Sequence, residues 1–365
     1  MSRGSAPRSD RRETVMVSME SSSSGTTTSD AESLGNNRAR SSDRMRVLVT
    51  GGSGFIGTNL VEGFLQRGDA VRSIDVAAPK IDAHRDVYRK VDIMDRPSLE
   101  KAFGDFHPTV VIHLAARADL EQSKGMEHFA PNIAGVKNII DAVRVTGGVR
   151  RTIFASTRLV FDLGYQPRHE TDYHATTLYG ISKAKGEDLV RAAWDDPGVW
   201  TIVRPTGIWG PWFGEPYRSF FGMVRRGMYV NPSGGPVHKS YGYVENLVHQ
   251  LQRLTEARED LVNGKTFWLA DYDPVVIAEW ASQIAEAFGS RRIRTVPLSL
   301  FRVAAAAGDV VGRFGYGFPM TSFRLNNLTH DMVYDTSGTE AVVGSLPFSL
   351  EEGTARTIEW LQRHG

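Results

Sequence analysis

The stretch Arg46-Val-Leu-Val-Thr-Gly-Gly-Ser-Gly-Phe-Ile-Gly57 constrains the fold more than any other part of the chain. Val47, Leu48 and Val49 are consecutive and apolar, the pattern of a short strand buried on both faces. Gly51, Gly54 and Gly57 then recur at every third residue. Residues 58–66 read as a helix, with Leu60, Val61, Phe64 and Leu65 on its apolar side. A glycine-rich turn between a buried strand and a helix start offers free N–H groups and the positive end of the helix dipole, which suits a pyrophosphate. A tight turn without a ligand would also use glycines, so the next strand matters. It spans 70–74 and ends at Asp75, 18 residues after Gly57. A carboxylate there is placed to accept hydrogen bonds from an adenosine ribose. It favours NAD, because it would repel the 2′-phosphate of NADP.

The pattern then alternates. Strands at 47–50, 70–74, 88–91, 109–114, 151–155 and 200–203 interleave with helices at 58–66, 97–103, 130–145 and 179–193. This predicts an α/β fold, a doubly wound parallel Rossmann sheet with helices on both faces. Ligands on such sheets sit at the carboxyl ends of the strands, where Gly51, Asp75, Asp92, Ala115, Thr157 and Pro205 all fall. Residues 45–210 therefore read as an NAD-binding Rossmann domain. Past Gly210 the pattern loosens. Residues 211–242 are rich in Gly, Pro and aromatics, a strand follows at 265–269, and helices follow at 245–256, 276–288 and 350–363. Residues 211–365 read as a smaller, mainly substrate-binding C-terminal region.

Residues 1–44 are rich in Ser, Thr, Gly and Arg and nearly free of large apolar residues. Such a segment cannot bury enough surface to offset its ordering entropy, so it reads as a disordered tail or an over-extended start before Met45. Its only apolar run is Val15-Met16-Val17, too short for a signal peptide, and its acids are unlike a transit peptide.

The chain has no cysteine, which excludes disulfides, thiolate nucleophiles and cysteine-ligated metals. Its ten histidines show no zinc spacing, so no metal is expected. A net charge of +1 gives no reason to expect nucleic acid as a partner. The best membrane candidate, 303–311, is short and holds Asp309, so no membrane span and a cytoplasmic location are expected.

The chemistry reads from Tyr179-Gly-Ile-Ser-Lys183. Residues four apart on a helix share a face, and a cation one turn away favours a phenolate. That predicts Tyr179 as a general base with a lowered pKa. The strand 151–155 ends in Ser156-Thr157. A hydroxyl there could bond both a substrate hydroxyl and the tyrosine, supporting hydride transfer between a carbinol and a nicotinamide.

Together these stretches resemble an extended short-chain dehydrogenase/reductase of the NAD-dependent epimerase/dehydratase family. The resemblance runs from Met45 to Gly365. Its marks are Thr50-Gly-Gly-x-Gly-Phe-Ile-Gly57, Asp75, Asp92-Ile93, His113-Leu-Ala-Ala116, Asn132, Ser156-Thr157, Tyr179-x-x-x-Lys183, Arg204-Pro205, Trp209-Gly-Pro211 and the closing Pro347-Phe-Ser-Leu-Glu-Glu-Gly353 with Trp360. It implies that the backbone of Phe55 and Ile56 meets the pyrophosphate and Asp75 the ribose, and that Asp92 and Ile93 meet the adenine. Leu114, Ala115 and Ala116 would line the cofactor, with Pro205 at the next strand end. Asn132 would help a water-linked proton path, Lys183 would also bind the nicotinamide ribose, and Thr157 rather than Ser156 would be the catalytic hydroxyl. A homodimer through paired helices, here near 130–145 and 179–193, is common among such enzymes.

Departures from the resemblance bear on substrate. The Asp-Glu pair of 4,6-dehydratases is replaced by Arg158-Leu159, so dehydration is not expected. Gly207 stands where many sugar-nucleotide epimerases have Asn, and Lys239 where they often keep a phosphate-binding Arg. Two activities follow: a nucleotide-sugar epimerase working by transient oxidation of a secondary alcohol, with Arg218 and Lys239 toward the diphosphate, or a 3β-hydroxysteroid-dehydrogenase-like oxidoreductase that releases a ketone. A cofactor-binding protein without chemistry is a third class, against which the intact Thr157, Tyr179 and Lys183 argue. The aromatic run Trp209, Trp212, Phe213, Tyr217, Phe220 and Phe221 reads equally as a substrate wall or as a lid packed on the core.

Overall fold

In the computed structural model, seven parallel strands form one central sheet. They are β1 (Arg46–Thr50), β2 (Ala70–Asp75), β3 (Tyr88–Lys90), β4 (Val110–His113), β5 (Arg151–Ala155), β6 (Val199–Pro205) and β7 (Lys265–Leu269). Their spatial order is β7-β6-β5-β4-β1-β2-β3, every neighbouring pair parallel. The order reverses between β1 and β4, which opens a crevice at the carboxyl ends of those strands. The structure describes residues 44–119, 124–165, 167–193, 198–313 and 320–364, so the expectation of a disordered tail falls, Arg44 apart, outside the described residues.

Alternation along the strands explains the two layers. Val47, Val49, Val110, Ile112 and Ile153 face one side, under helices α1 (Phe55–Arg67) and Val244–Glu256. Leu48, Val111 and Phe154 face the other, under α2 (Arg96–Phe106), α3 (Ala134–Thr146) and α4 (Leu178–Ala193). Both faces are buried, and each helix brings an apolar stripe to its face.

Three local readings change. The first helix begins at Phe55, not at Thr58, so Gly57 lies inside its first turn. A Cβ on Gly57 would stand 2.1 Å from the Gly51 carbonyl oxygen, which is why that position holds glycine. The helix read over 130–145 begins at Ala134, behind a 3-10 segment Met126–Asn132 that contains Pro131. The strand read in the C-terminal region, Lys265–Leu269, is β7 and pairs with β6 at the edge of the main sheet.

Beyond Gly210 the chain builds a cap over the carboxyl ends of the strands. Gly207–Trp209 pairs with Tyr241–Tyr243, Val230–Pro232 with Arg294–Val296, and His238–Lys239 with Val275–Val276. Helices α5 (Tyr217–Arg225) and α6 (Ile277–Ala287) pack between them. No described helix is long and apolar enough to cross a membrane.

Candidate active site

A cavity of about 1940 Å3 runs along the crevice from the glycine-rich turn to the cap. At one end the turn is drawn tight. Gly51 has φ +72°, and a Cβ there would meet the Ala115 amide nitrogen at 2.6 Å. Within α1 the first i→i−4 bond is made by Thr58 N–H to the Gly54 carbonyl at 2.9 Å. The N–H groups of Phe55, Ile56 and Gly57 therefore have no acceptor within their helix and sit at its positive end, beside the cavity.

Asp75 is tied into the same turn. Its carboxylate accepts from Ser53 N–H at 3.0 Å and from Ala77 N–H at 2.9 Å. A carboxylate has about four acceptor positions, so two remain for vicinal hydroxyls. Asp92 and Ile93 line the cavity next, and then Leu114, Ala115 and Ala116 at the end of β4.

The reacting end forms where β5, α4 and β6 finish. Ser156 and Thr157 diverge there. Ser156 donates its hydroxyl to Glu187, whereas the Thr157 hydroxyl lies in hydrogen-bond reach of the Tyr179 phenol and accepts from Leu159 N–H at 3.2 Å. Gly180 makes this possible, since a Cβ there would lie 2.0 Å from the Leu159 carbonyl oxygen. Its absence lets α4 settle against the Thr157 turn. Thr157, Tyr179 and Lys183 all line the one cavity, with Pro205 beside them.

The electrostatics correct one expectation. Lys183 does not lower the Tyr179 pKa. The phenol keeps part of its surface open to the cavity, yet desolvation pushes it up to about 12, partly offset by the Thr157 bond. Lys183 is itself only 5 % exposed, and burial brings its ammonium down to about 8, with Glu187 holding it up from one turn away. His113, buried and facing Lys183, falls to about 3 and is neutral; its Nδ1 lies 2.7 Å from Thr50 Oγ1.

Every residue expected at the site lines this cavity except Asn132. Asn132 is buried behind it. Its side chain accepts from Arg117 N–H at 2.8 Å and donates to the Arg117 carbonyl and to Ser182 Oγ. It clamps the loop after β4 to α4. Lys239 reaches the cavity but is 2 % exposed, and its ammonium donates to the His330 carbonyl at 2.7 Å. Arg218 lies exposed at the rim with Arg225 and Arg226.

The aromatic run divides. Trp209 is core, packed on Trp280 and Tyr243, and Trp212 meets Trp360 edge to face. Phe213, Tyr217, Phe220 and Phe221 are cavity wall. Sequence reading missed the rest of that wall, which includes Tyr229, Tyr241, Trp280 and Met332. It also missed Glu187, whose buried carboxylate takes two bonds from the Arg204 guanidinium at 2.9 and 2.6 Å and one from Tyr173.

The sequence profile of the NAD dependent epimerase/dehydratase family matches residues 47–270. The chain belongs to this family. Its members are enzymes and their cofactor is NAD. Among curated relatives, the chain is 31% identical over 266 residues to a 3-beta-hydroxysteroid dehydrogenase of Mycolicibacterium neoaurum, covering 68% of this chain and 72% of that one. It is 30% identical over 262 residues to a 3 beta-hydroxysteroid dehydrogenase/Delta 5-->4-isomerase of Mycobacterium tuberculosis, covering 67% and 70%. Among solved structures, the UDP-glucose 4-epimerase of Thermotoga maritima superposes with a TM-score of 0.68 at 22% identity, over 87% of this chain and 99% of that one. That likeness bears on the fold, which this family member shares in its seven-stranded sheet and flanking helices.

Proposed function

We propose that this family member is an NAD-dependent dehydrogenase that oxidises a secondary alcohol on a bulky, largely apolar body and releases the ketone. The packing at Gly207 carries the reading. A Cβ on Gly207 would lie 2.1 Å from the Tyr217 hydroxyl and 2.5 Å from the Tyr241 ring. The place where many nucleotide-sugar epimerases present an amide is filled here by two phenols, stacked edge to face at 5.3 Å. Around them the wall is Phe213, Phe221, Tyr229, Ile277, Trp280 and Met332, all buried. The 3-beta-hydroxysteroid dehydrogenases that share 30–31% identity support the same substrate class.

The turn from Gly51 to Gly57 would hold the pyrophosphate, Asp75 the adenosine ribose, and Asp92 with Ile93 the adenine. Leu114, Ala115, Ala116 and Pro205 would flank the rest of the NAD, which when bound supplies the hydride acceptor. Tyr179 takes the proton of the substrate hydroxyl, Thr157 donates a hydrogen bond that orients that oxygen, and Lys183 holds the nicotinamide ribose. Asn132 acts by fixing α4 and the loop after β4. In this assignment residues 45–210 mainly bind the cofactor and residues 211–365 mainly the substrate.

A second reading, the nucleotide-sugar epimerase, is favoured by Arg218, Arg225 and Arg226 along the rim, three exposed cations suited to a diphosphate. Incubation with NAD separates the two. A panel of 3β-hydroxysteroids and other bulky secondary alcohols should yield free NADH in step with ketone. Interconversion of two UDP-, GDP- or dTDP-sugars without net NADH would sink the dehydrogenase and establish the epimerase.

A further inference from the structure

Helix α7 (Leu298–Arg313) forms part of the chamber wall and carries apolar side chains on both its inner and its outer side. Its inner side seats Phe301, which lines the cavity, and Ala305, both buried. A surface helix ordinarily turns charges to water on its other side. Here Leu300, Val303 and Val310 face outward, 59 %, 68 % and 53 % exposed, with Ala307 exposed between them. On a helix these four positions fall on one side, as a stripe about 15 Å long. The helix's only acid, Asp309, lies off that stripe and accepts from Ser322 N–H at 3.0 Å.

The charge around the stripe is one-sided. The overall balance of +1 conceals this: residues 289–330 hold six arginines and the single acid Asp309, and residues 216–244 hold no acid at all. The strand pair Val230–Pro232 with Arg294–Val296 brings the basic stretches together. Ser290 Oγ donates to the Arg225 carbonyl at 2.8 Å, and a Cβ on Gly227 would lie 3.4 Å from the Arg291 side chain. Arg225, Arg226, Arg291, Arg292, Arg294 and Arg302 are all exposed, and none has a carboxylate within ion-pair distance among the described residues. Met223 and Met228, on the same segment as Arg225, are both exposed and lining the cavity. A second copy of this chain is a poor cover for such a face, since a two-fold contact would set arginine against arginine. An apolar stripe edged by unpaired cations is matched by an anionic bilayer, which takes the stripe into its acyl boundary and the cations at its headgroup phosphates. We propose that this face docks the protein on the surface of an anionic membrane, with α7 lying in the interface without crossing it and the chamber mouth beside the lipid. The docking goes beyond the alcohol-oxidising reading and does not depend on it.

The test uses the full chain and extruded vesicles, either pure phosphatidylcholine or about a third phosphatidylserine, at low and at high salt. In co-sedimentation, wild type should bind the anionic vesicles at least about tenfold more tightly than the neutral ones, and lose that preference at high salt. Val303→Asp and, separately, the pair Arg291→Glu with Arg292→Glu should each weaken the binding about tenfold or more, with NAD affinity unchanged as the check of folding. Because the chain has no cysteine, Val310→Cys takes a single environment-sensitive dye. Its emission should shift to the blue on adding anionic vesicles and be quenched by a lipid with a brominated acyl chain. Equal binding to both vesicle types, binding that survives either change, or a dye that stays in water overturns the proposal. Absence of any vesicle binding overturns it too, and a wild-type dimer that Val303→Asp dissociates would then assign the stripe to a second copy.

Discussion

Ser156 and Thr157 are adjacent in the chain, yet their hydroxyls serve different networks: Ser156 bonds the buried carboxylate of Glu187, and Thr157 the phenol of Tyr179. Strand alternation sends neighbours to opposite sides. Replacing each separates structure from chemistry. Thr157→Val should lower kcat about a hundredfold with NAD affinity kept, since it removes only a group that orients a proton in transit. Ser156→Ala should hold kcat within about threefold and lower unfolding stability by about 1 kcal/mol, the worth of one buried hydrogen bond. Steady-state kinetics and urea unfolding on the two variants check this. A large kcat loss in Ser156→Ala alone would reverse the assignment.

The Tyr179 phenol, raised to about 12, is neutral at pH 7. Oxidation needs its phenolate, so the rate of NADH formation should rise with pH between about 7 and 9.5, while the reverse reduction, which draws on the neutral phenol, should not rise. Tyr179→Phe should lose at least about a hundredfold in turnover in both directions, with NAD binding within about twofold. A pH-independent oxidation rate over that range would show that the phenol titrates lower than its burial dictates.

Asp75 has a double duty, fixing Ser53 and Ala77 N–H groups while keeping acceptors free. Asp75→Asn retains one acceptor oxygen and removes the charge. NAD affinity should fall about tenfold and the preference over NADP should narrow, because charge-assisted bonds and phosphate repulsion are lost together. Titration of both nucleotides against wild type and variant decides it, and a wild type that prefers NADP would contradict the role.

Gly207→Asn should displace Tyr217 or Tyr241, since its Cβ would lie 2.1 Å from the Tyr217 hydroxyl. Overpacking of this kind costs about 1–3 kcal/mol in stability. Binding of a bulky apolar alcohol should weaken as the wall shifts, measurable as a raised KM with NAD affinity intact. Unchanged stability and KM would mean the chamber wall is looser than its packing indicates.

Glu187 and Arg204 are 3 % and 2 % exposed, and each is the other's charge partner. Glu187→Ala leaves the guanidinium buried without a carboxylate and should cost about 3–5 kcal/mol of unfolding free energy. It also removes the charge that keeps Lys183 protonated, so residual activity near neutral pH should drop further than stability alone explains. Denaturant unfolding and a kcat–pH profile test the two parts separately.

The glycine-rich turn and the Asp75 strand end were legible because their geometry is written locally. Gly51, Gly57 and Asp75 are dictated by backbone approach and by one strand end, and a short window contains the reason for each. The sign of the Tyr179 shift was not legible, since a helical i,i+4 spacing reports the neighbour but not the burial that outweighs it. Nor was the chamber wall. Tyr217, Tyr241, Trp280 and Met332 come from separate elements, and nothing near Gly207 announces that two phenols will fill the space it leaves. The part of Asn132 in clamping a loop to α4 likewise depends on partners 15 and 50 residues away.

Strand β7 is supplied by the same stretch of chain that builds the cap, so residues 45–210 are not a separable module. A chain cut after Gly210 would leave β6 with a bare row of N–H and C=O groups, a template for another chain to add onto. Any recombination that exchanges the cap wholesale must bring a strand in the register of Lys265–Leu269 with it. New substrate scope is therefore reached more readily by substitutions within the segment between β6 and β7, which builds much of the chamber while leaving β6 paired with β7.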